Sequence, residues 1–356
     1  MAPFYFTKIC RPIISFLGAL LIRVINFVDD FLFSESSERL QALKTFINML
    51  LHGLGWTVND SKSQEGHSVR FLGYTLDASL GNFQVPVDKV EKAQQLLTKL
   101  TASADATNSI STKLLESTLG TLLSARLAIP LLSVFTRDLY TPWKDPNFRM
   151  TPGMSVTVTP AMRDELTTVG YLLTSSNGAP FMDAKFEIDL FVDASEIGWG
   201  ATALGRSASG LFHAEVIGKS STFRELLGLL TAISHHALLP SLTTKVVRFT
   251  MDSKSAICNL VRGGGPVTAL RDLIKQLWNF FLSHKITPIF RWFRRDRIEM
   301  QFVDNLSKSV FFNLLPAVAH DLQLTLSRPI LYVEYGEIPD LIQSILGIPR
   351  KCYGGP

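Results

Sequence analysis

The chain has 356 residues, enough for two or three domains. It is 46% hydrophobic and 19% charged, a globular balance that excludes a disordered or low-complexity chain. A net charge of +4 is too small to identify a nucleic-acid binder by itself, and three scattered cysteines, Cys10, Cys258 and Cys352, indicate neither a disulfide framework nor a zinc site.

Residues 12–28 are the stretch to test as a signal or membrane segment. Arg23 and Asn26 interrupt it, no small-residue cleavage site follows, and Asp29-Asp30 close it. A helix followed by a buried strand is predicted instead, in a protein that stays inside the cell, cytoplasmic or nuclear. Residues 21–28 and 31–34 then flank Asp29-Asp30 as an apolar hairpin with the acids at its tip. Helical spacing over 38–54 ends at Gly53 and Gly55, and residues 69–76 read as a strand. Residues 87–139 are mostly helical. Val90, Leu96, Leu97 and Leu100 form one stripe, and Leu114, Leu115, Leu119, Leu122 and Leu123 another, both expected in the core. Asp145-Pro146, Pro152-Gly153 and Pro160 mark the clearest linker.

From Phe186 strands and helices alternate. Residues 186–192, 199–204 and 211–217 are predicted strands, followed by a helix over 221–237 capped by Ser221 or Thr222. A strand over 246–251 leads into a short helix over 255–261, stopped by Gly263-Gly264-Gly265. A helix over 270–283, a strand over 286–293 and a last helix from near Glu299 complete a mixed α/β sheet with helices packed on it.

Four acids in this last region invite attention. Asp193 follows a predicted strand, where an isolated Asp is ordinarily a turn former or a cap; Glu225 lies on an amphipathic helix, where a solvated glutamate is ordinary. Asp252 ends a strand so apolar that the acid itself is expected to be exposed, and Asp304, among Phe302, Val303 and Leu306, is expected at the border of a buried helix face. Together they make a different pattern. Acids at adjacent strand ends, joined by one from each packing helix, converge as hard-oxygen ligands for Mg2+ or Mn2+, with two ions in the site.

The residues around these acids carry a resemblance. Phe191-Val192-Asp193-Ala194-Ser195 with Gly198-Trp199-Gly200-Ala201, Ser221-Thr222-Phe223-Arg224-Glu225-Leu226-Leu227, Thr250-Met251-Asp252-Ser253-Lys254-Ser255-Ala256 and Val303-Asp304-Asn305-Leu306-Ser307-Lys308 resemble, in order, the four motifs of retroelement ribonuclease H domains. The wording is most similar to DIRS-like, tyrosine-recombinase retrotransposons. The resemblance implies that Asp193, Glu225, Asp252 and Asp304 are both metal ligands and catalytic residues, for hydrolysis of the RNA strand of an RNA–DNA hybrid. Gln301-Phe302 depart from the small residue usual before the last motif.

Further upstream, Phe27-Val28-Asp29-Asp30 resembles the Tyr-x-Asp-Asp hairpin of reverse transcriptases, and Ala2-Pro3-Phe4-Tyr5-Phe6-Thr7-Lys8 the segment such enzymes place beneath the incoming nucleotide. Gly55-Trp56-Thr57-Val58-Asn59 with Lys62-Ser63 resembles the next motif, and Phe71-Leu72-Gly73-Tyr74 the primer-grip hairpin. The resemblance implies a partial palm over 1–80, without fingers or the first catalytic strand, a helical thumb or connection over 81–150, a linker over 151–184, a ribonuclease H-like domain over 185–310 and a tail over 311–356. The family's partner aspartate lies upstream of the Ala-Pro-Phe segment, so Asp29 and Asp30 are expected to hold a polymerase metal poorly, and no DNA synthesis is expected from this chain alone.

Backbone neutralisation suits Arg291, Arg294, Arg295 and Arg297, with Lys254, Arg262 and Lys62 as further candidates for nucleic-acid contact. Trp292 and Phe293, interleaved with the arginines, are expected in the sheet core rather than as stacking platforms. The histidines of the region, His213, His235, His236 and His284, receive no role. The partners expected are an RNA–DNA hybrid or other nucleic acid, and further retroelement chains or a ribonucleoprotein, with no membrane. The competing expectation is a catalytically silent scaffold that keeps the fold and binds such a partner.

Overall fold

The computed structural model describes residues 2–144, 153–182, 184–265 and 267–308. Part of the expected linker, including Asp145-Pro146 and Pro152, and the tail over 311–356 lie outside the described residues.

In chain order the first elements are α1 (Ala2–Ala19), β1 (Arg23–Phe27), β2 (Asp30–Ser34), α2 (Ser37–Gly53), β3 (Ser68–Phe71), β4 (Tyr74–Asp77), β5 (Asn82–Gln84) and α3 (Val87–Thr107). Next come β6 (Ser109–Ser111), α4 (Thr112–Ala125), β7 (Ser155–Thr157), α5 (Pro160–Ser175) and β8 (Ala179–Pro180). The last stretch runs β9 (Ile188–Ala194), β10 (Gly198–Ala203), β11 (Arg206–Leu211), α6 (Ser221–Ser234), α7 (Leu239–Leu242) and β12 (Val246–Met251). It closes with α8 (Lys254–Arg262), α9 (Thr268–Ser283), β13 (Thr287–Trp292) and α10 (Ile298–Ser307). This is a mixed α/β chain. No helix among the described residues is long and apolar enough to cross a membrane.

The described residues divide into two compact units, one within Met1–Val90 and Asn177–Phe181, the other formed by Glu91–Ser176 and the described residues from Met182 onward. In the first unit, Ile13 and Leu17 of α1 pack on Leu43, Ile47 and Leu51 of α2, with Val24, Phe33 and Trp56 against them. The β1–β2 hairpin closes with Phe27 opposite Asp30, and its turn puts Val28 in the left-handed region at φ 54°. The Asn26 side chain donates to the Val28 carbonyl at 2.9 Å, which fixes that turn. Asp29 and Asp30 stand exposed at its tip. The single strand predicted over 69–76 is instead the β3–β4 hairpin: Leu72 and Gly73 both take positive φ, 48° and 81°, the geometry of a tight two-residue reversal.

In the second unit α3 buries Ala93, Leu97, Leu100 and Ala104, and α4 buries Leu115, Leu119 and Leu122. Leu123 is exposed and Val90, Leu96 and Leu114 only half-buried, because the buried stripes are completed by alanines and Thr118 rather than by every leucine. The expected linker over 151–184 also requires correction. It holds the sixteen-residue helix α5, capped by Thr159, whose side chain accepts from the Met162 amide, with Pro160 in the first turn. Met162, Leu166, Val169, Leu172 and Leu173 give α5 a buried face.

The principal sheet of the second unit runs β11-β10-β9-β12-β13, with the β11–β10 and β10–β9 pairs antiparallel and the β9–β12 and β12–β13 pairs parallel. The third strand is Arg206–Leu211, not 211–217. Leu204 and Gly205, at φ 51° and 73°, reverse the chain within two residues, so pairing with β10 is used up by Leu211 and the chain turns away through Ala214–Val216. The cap of α6 is Ser220, one residue before the expected position, its hydroxyl accepting from the Phe223 amide at 3.2 Å. The parallel register pairs Thr250 with Phe191, so two residues further on Asp252 and Asp193 leave the sheet side by side. Gly228 of α6 faces Trp199, and Val303 and Leu306 of α10 face Gly200; alternation along β10 therefore puts these helices on opposite faces.

Candidate active site

Asp193 is buried at the end of β9. Its Oδ2 lies 2.9 Å from the Ser307 hydroxyl of α10, while its Oδ1 is buried with no hydrogen-bond partner among the described residues. The turn after it is fastened by Ser195, whose hydroxyl accepts from the Gly198 amide at 3.1 Å and donates to the Ser307 carbonyl at 2.5 Å. Close packing explains the following glycines. A Cβ on Gly200 would lie 2.5 Å from the Leu306 Cβ and 2.6 Å from the Val303 carbonyl oxygen, and one on Gly198 would lie 2.5 Å from the Gly210 carbonyl oxygen.

Glu225 sits in the second turn of α6, buried, with its Oε2 likewise unpartnered among the described residues. Asp252 follows β12 and precedes Ser253, which caps α8 by accepting from the Ala256 amide at 3.3 Å. The expected exposure of Asp252 is corrected: its side chain is only 10% exposed, because Arg295 covers it with Nε 2.6 Å from Oδ2.

One oxygen from each of Asp193, Glu225 and Asp252 lies within 4.8 Å of the others. Asp304, on α10 at the border of the buried face as expected, is not part of that set. Its Oδ2 pairs with Lys308 at 2.5 Å and its Oδ1 lies 4.0 Å from the Arg295 Nε.

Crowding of like charges in a poorly solvated place sets the electrostatics. Burial above all, then the charges of Asp193 and Asp252, push the Glu225 carboxyl up to about 9. Burial, with the charges of Asp252 and Asp304, raises Asp193 to about 6, opposed by the Ser307 hydrogen bond and Arg295. These are groups that a positive charge would relieve. The residues fit a divalent cation on this ground: three carboxylates gather hard oxygens within one small volume, and Asp193 and Glu225 each keep a buried oxygen without a hydrogen-bond partner among the described residues.

The basic candidates divide. Arg295 reaches the acids, and Lys254, after Asp252, lies 4.1 Å above the Trp292 ring. Trp292 is not in the sheet core: it is 40% exposed at the end of β13, its indole N–H donating to the Asp252 carbonyl at 2.9 Å. Phe293 is half-buried near Phe191, with Arg291 and Arg297 over its ring at 4.2 and 6.0 Å. Arg294 pairs with Asp296 in solvent, and Arg262 is at the far end of α8 from Asp252. Lys62 and the Asp29-Asp30 pair belong to the first unit, and no three-acid set forms around that pair among the described residues.

Two features were not anticipated. Ser307, within the last motif, bridges Asp193 to α10; its place three residues after Asp304 was the available signal. A buried polar cluster joins Asp138, Glu165, Arg271 and Lys275, with Lys275 Nζ 2.5 Å from Asp138 Oδ2 and 2.6 Å from Glu165 Oε1. Glu165 accepts the Asp138 and Leu139 amides on its other oxygen at 2.8 and 2.9 Å.

No protein-family model matches the sequence, and no curated protein matches it either. Among solved structures, the chain is similar to a foamy viral protease-reverse transcriptase in complex with an RNA/DNA hybrid, at 17% identity and TM-score 0.42 over 83% of this chain and 38% of that one. The same enzyme with dsDNA gives 19% identity and TM-score 0.41, over 82% and 58%. A ribonuclease H1 isolated from compost gives 14% identity and TM-score 0.29, over 37% of this chain and 99% of that one. The chain thus spans between 38% and 58% of the length of those two viral chains.

Proposed function

We propose that this chain carries a metal-dependent ribonuclease H that cleaves the RNA strand of an RNA–DNA hybrid, attached to a reverse-transcriptase-like palm segment. The carrying observation is the set formed by Asp193, Glu225 and Asp252, with Asp304 beside it on α10. A bound Mg2+ or Mn2+ pair would supply Lewis acidity to the scissile phosphate and its attacking water. The protein's own work is to hold that set. The parallel β9–β12 register aligns Asp193 and Asp252, the buried second turn of α6 carries Glu225, and Ser307 orients Asp193. Lys254, Trp292, Arg291 and Arg297 offer charge and an aromatic edge to the hybrid's backbone next to the acids. The four ordered motifs support an affiliation with DIRS-like retrotransposons, and the exposed hairpin tip at Asp29-Asp30 supports a palm-like segment ahead of the nuclease.

A second reading, a silent scaffold binding nucleic acid or a ribonucleoprotein, draws on Asp304, which stands outside the three-acid set and pairs with Lys308. Cleavage of a labelled RNA–DNA hybrid in Mg2+ or Mn2+ separates the two. RNA cut by the parent chain and not by Asp252→Asn is the expected result. A folded parent that cuts with neither metal would put the scaffold first.

A further inference from the structure

Arg295 belongs to the connection between β13 and α10, and its side chain is 61% exposed. Beneath it the side chains of Asp193, Asp252 and Asp304 are 2%, 10% and 14% exposed. Its Nε is 2.6 Å from Asp252 and 4.0 Å from Asp304, and its Nη2 is 3.9 Å from Asp193. One long, solvated side chain thus lays its charge across three sequestered carboxylates. An ion pair whose cation is so exposed is weak, and a divalent cation on the same oxygens would repel the guanidinium at short range. The planar donors of arginine suit a phosphate as well as a carboxylate.

We propose that Arg295 is a built-in counter-ion: it occupies the carboxylate cluster in the metal-free protein, and uptake of a divalent cation displaces it on to a phosphate of the nucleic acid. The inference rests on the nuclease reading above for the metal and the phosphate. Two consequences follow. Competition from Arg295 weakens cation binding, and its release makes cation and nucleic acid bind cooperatively, because the charge that leaves the acids becomes available to the backbone.

Calorimetric titration with Ca2+ alone tests the first consequence in the full chain, in Arg295→Gln, Arg295→Lys and Asp252→Asn. Anisotropy of a labelled RNA–DNA hybrid, with and without Ca2+, tests the second. Arg295→Gln is expected to bind the cation roughly three- to tenfold tighter than the parent, with Arg295→Lys between them. The gain in hybrid affinity on adding Ca2+ is expected to be several-fold larger in the parent than in Arg295→Gln. Equal cation affinity in parent and Arg295→Gln, with binding lost in Asp252→Asn, overturns the counter-ion and leaves the metal site standing. Tighter cation binding with an unchanged gain in hybrid affinity overturns the transfer to phosphate. If neither parent nor Arg295→Gln binds the cation, the inference and the nuclease reading fall together.

Discussion

Glutamine at position 225 keeps the shape of the buried glutamate and removes its ionisation, which makes the electrostatics of the cluster measurable without a substrate. Burial first, and the Asp193 and Asp252 charges second, raise the Glu225 carboxyl from 4.5 to about 9. In the unfolded chain the proton leaves near the lower value, in the native chain near the upper one. Between them the native state binds more protons, so its stability falls as pH rises; the loss is absent below the lower value and complete above the upper. At ~1.4 kcal/mol per pH unit, the accumulated cost at pH 8 has a ceiling of ~5 kcal/mol. Glu225→Gln escapes that cost. In chelator at fixed ionic strength, parent and variant are expected to unfold at nearly the same temperature around pH 4.5. At pH 8 the variant should unfold about 5–10 °C higher, at a few degrees per kcal/mol. Scanning calorimetry at the two pH values reads this directly. A variant no more stable than the parent at pH 8, or displaced equally at both pH values, would refute the reasoning, since neither a packing change nor a lost hydrogen bond has this pH dependence.

The buried cluster away from the acids should respond more severely. Lys275→Met leaves Asp138 and Glu165 buried without their shared cation, and is expected to lower stability by ~3–5 kcal/mol in urea unfolding. At Gly200 the added methyl of alanine would meet Leu306 and the Val303 carbonyl. Urea unfolding of Gly200→Ala should show a loss of ~1–3 kcal/mol, and cation titration a weakened site, because α10 must move and takes Asp304 with it.

Legibility in the sequence followed the range of the interactions. Each of the four acids sits in a short local pattern, strand end or helix turn, so its element could be read nearby. The register bringing Asp193 level with Asp252 could not, because it depends on a parallel pairing across about sixty residues. Errors of element came where backbone conformation was decisive. Leu72-Gly73 and Leu204-Gly205 reverse the chain with a leucine in the left-handed region, a conformation its side chain does not advertise. In the sequence the prolines around α5 resemble helix breakers and suggest a linker, whereas Pro160 occupies the first turn, where a missing amide costs nothing.

Charged residues divide more sharply. Glu165 falls three residues after Met162 and one before Leu166, on the apolar stripe of α5, and an acid on such a stripe demands a buried cation from elsewhere. The demand was visible locally; the donor, Lys275, was not. Arg295 presents the reverse case, since nothing in Phe293-Arg294-Arg295-Asp296-Arg297 distinguishes it from its neighbours. Only the turn between β13 and α10 aims that one guanidinium at Asp252, 43 positions away, while Arg294 pairs in solvent with Asp296. A basic run therefore predicts an electrostatic surface, and the backbone decides which of its members meets the acids.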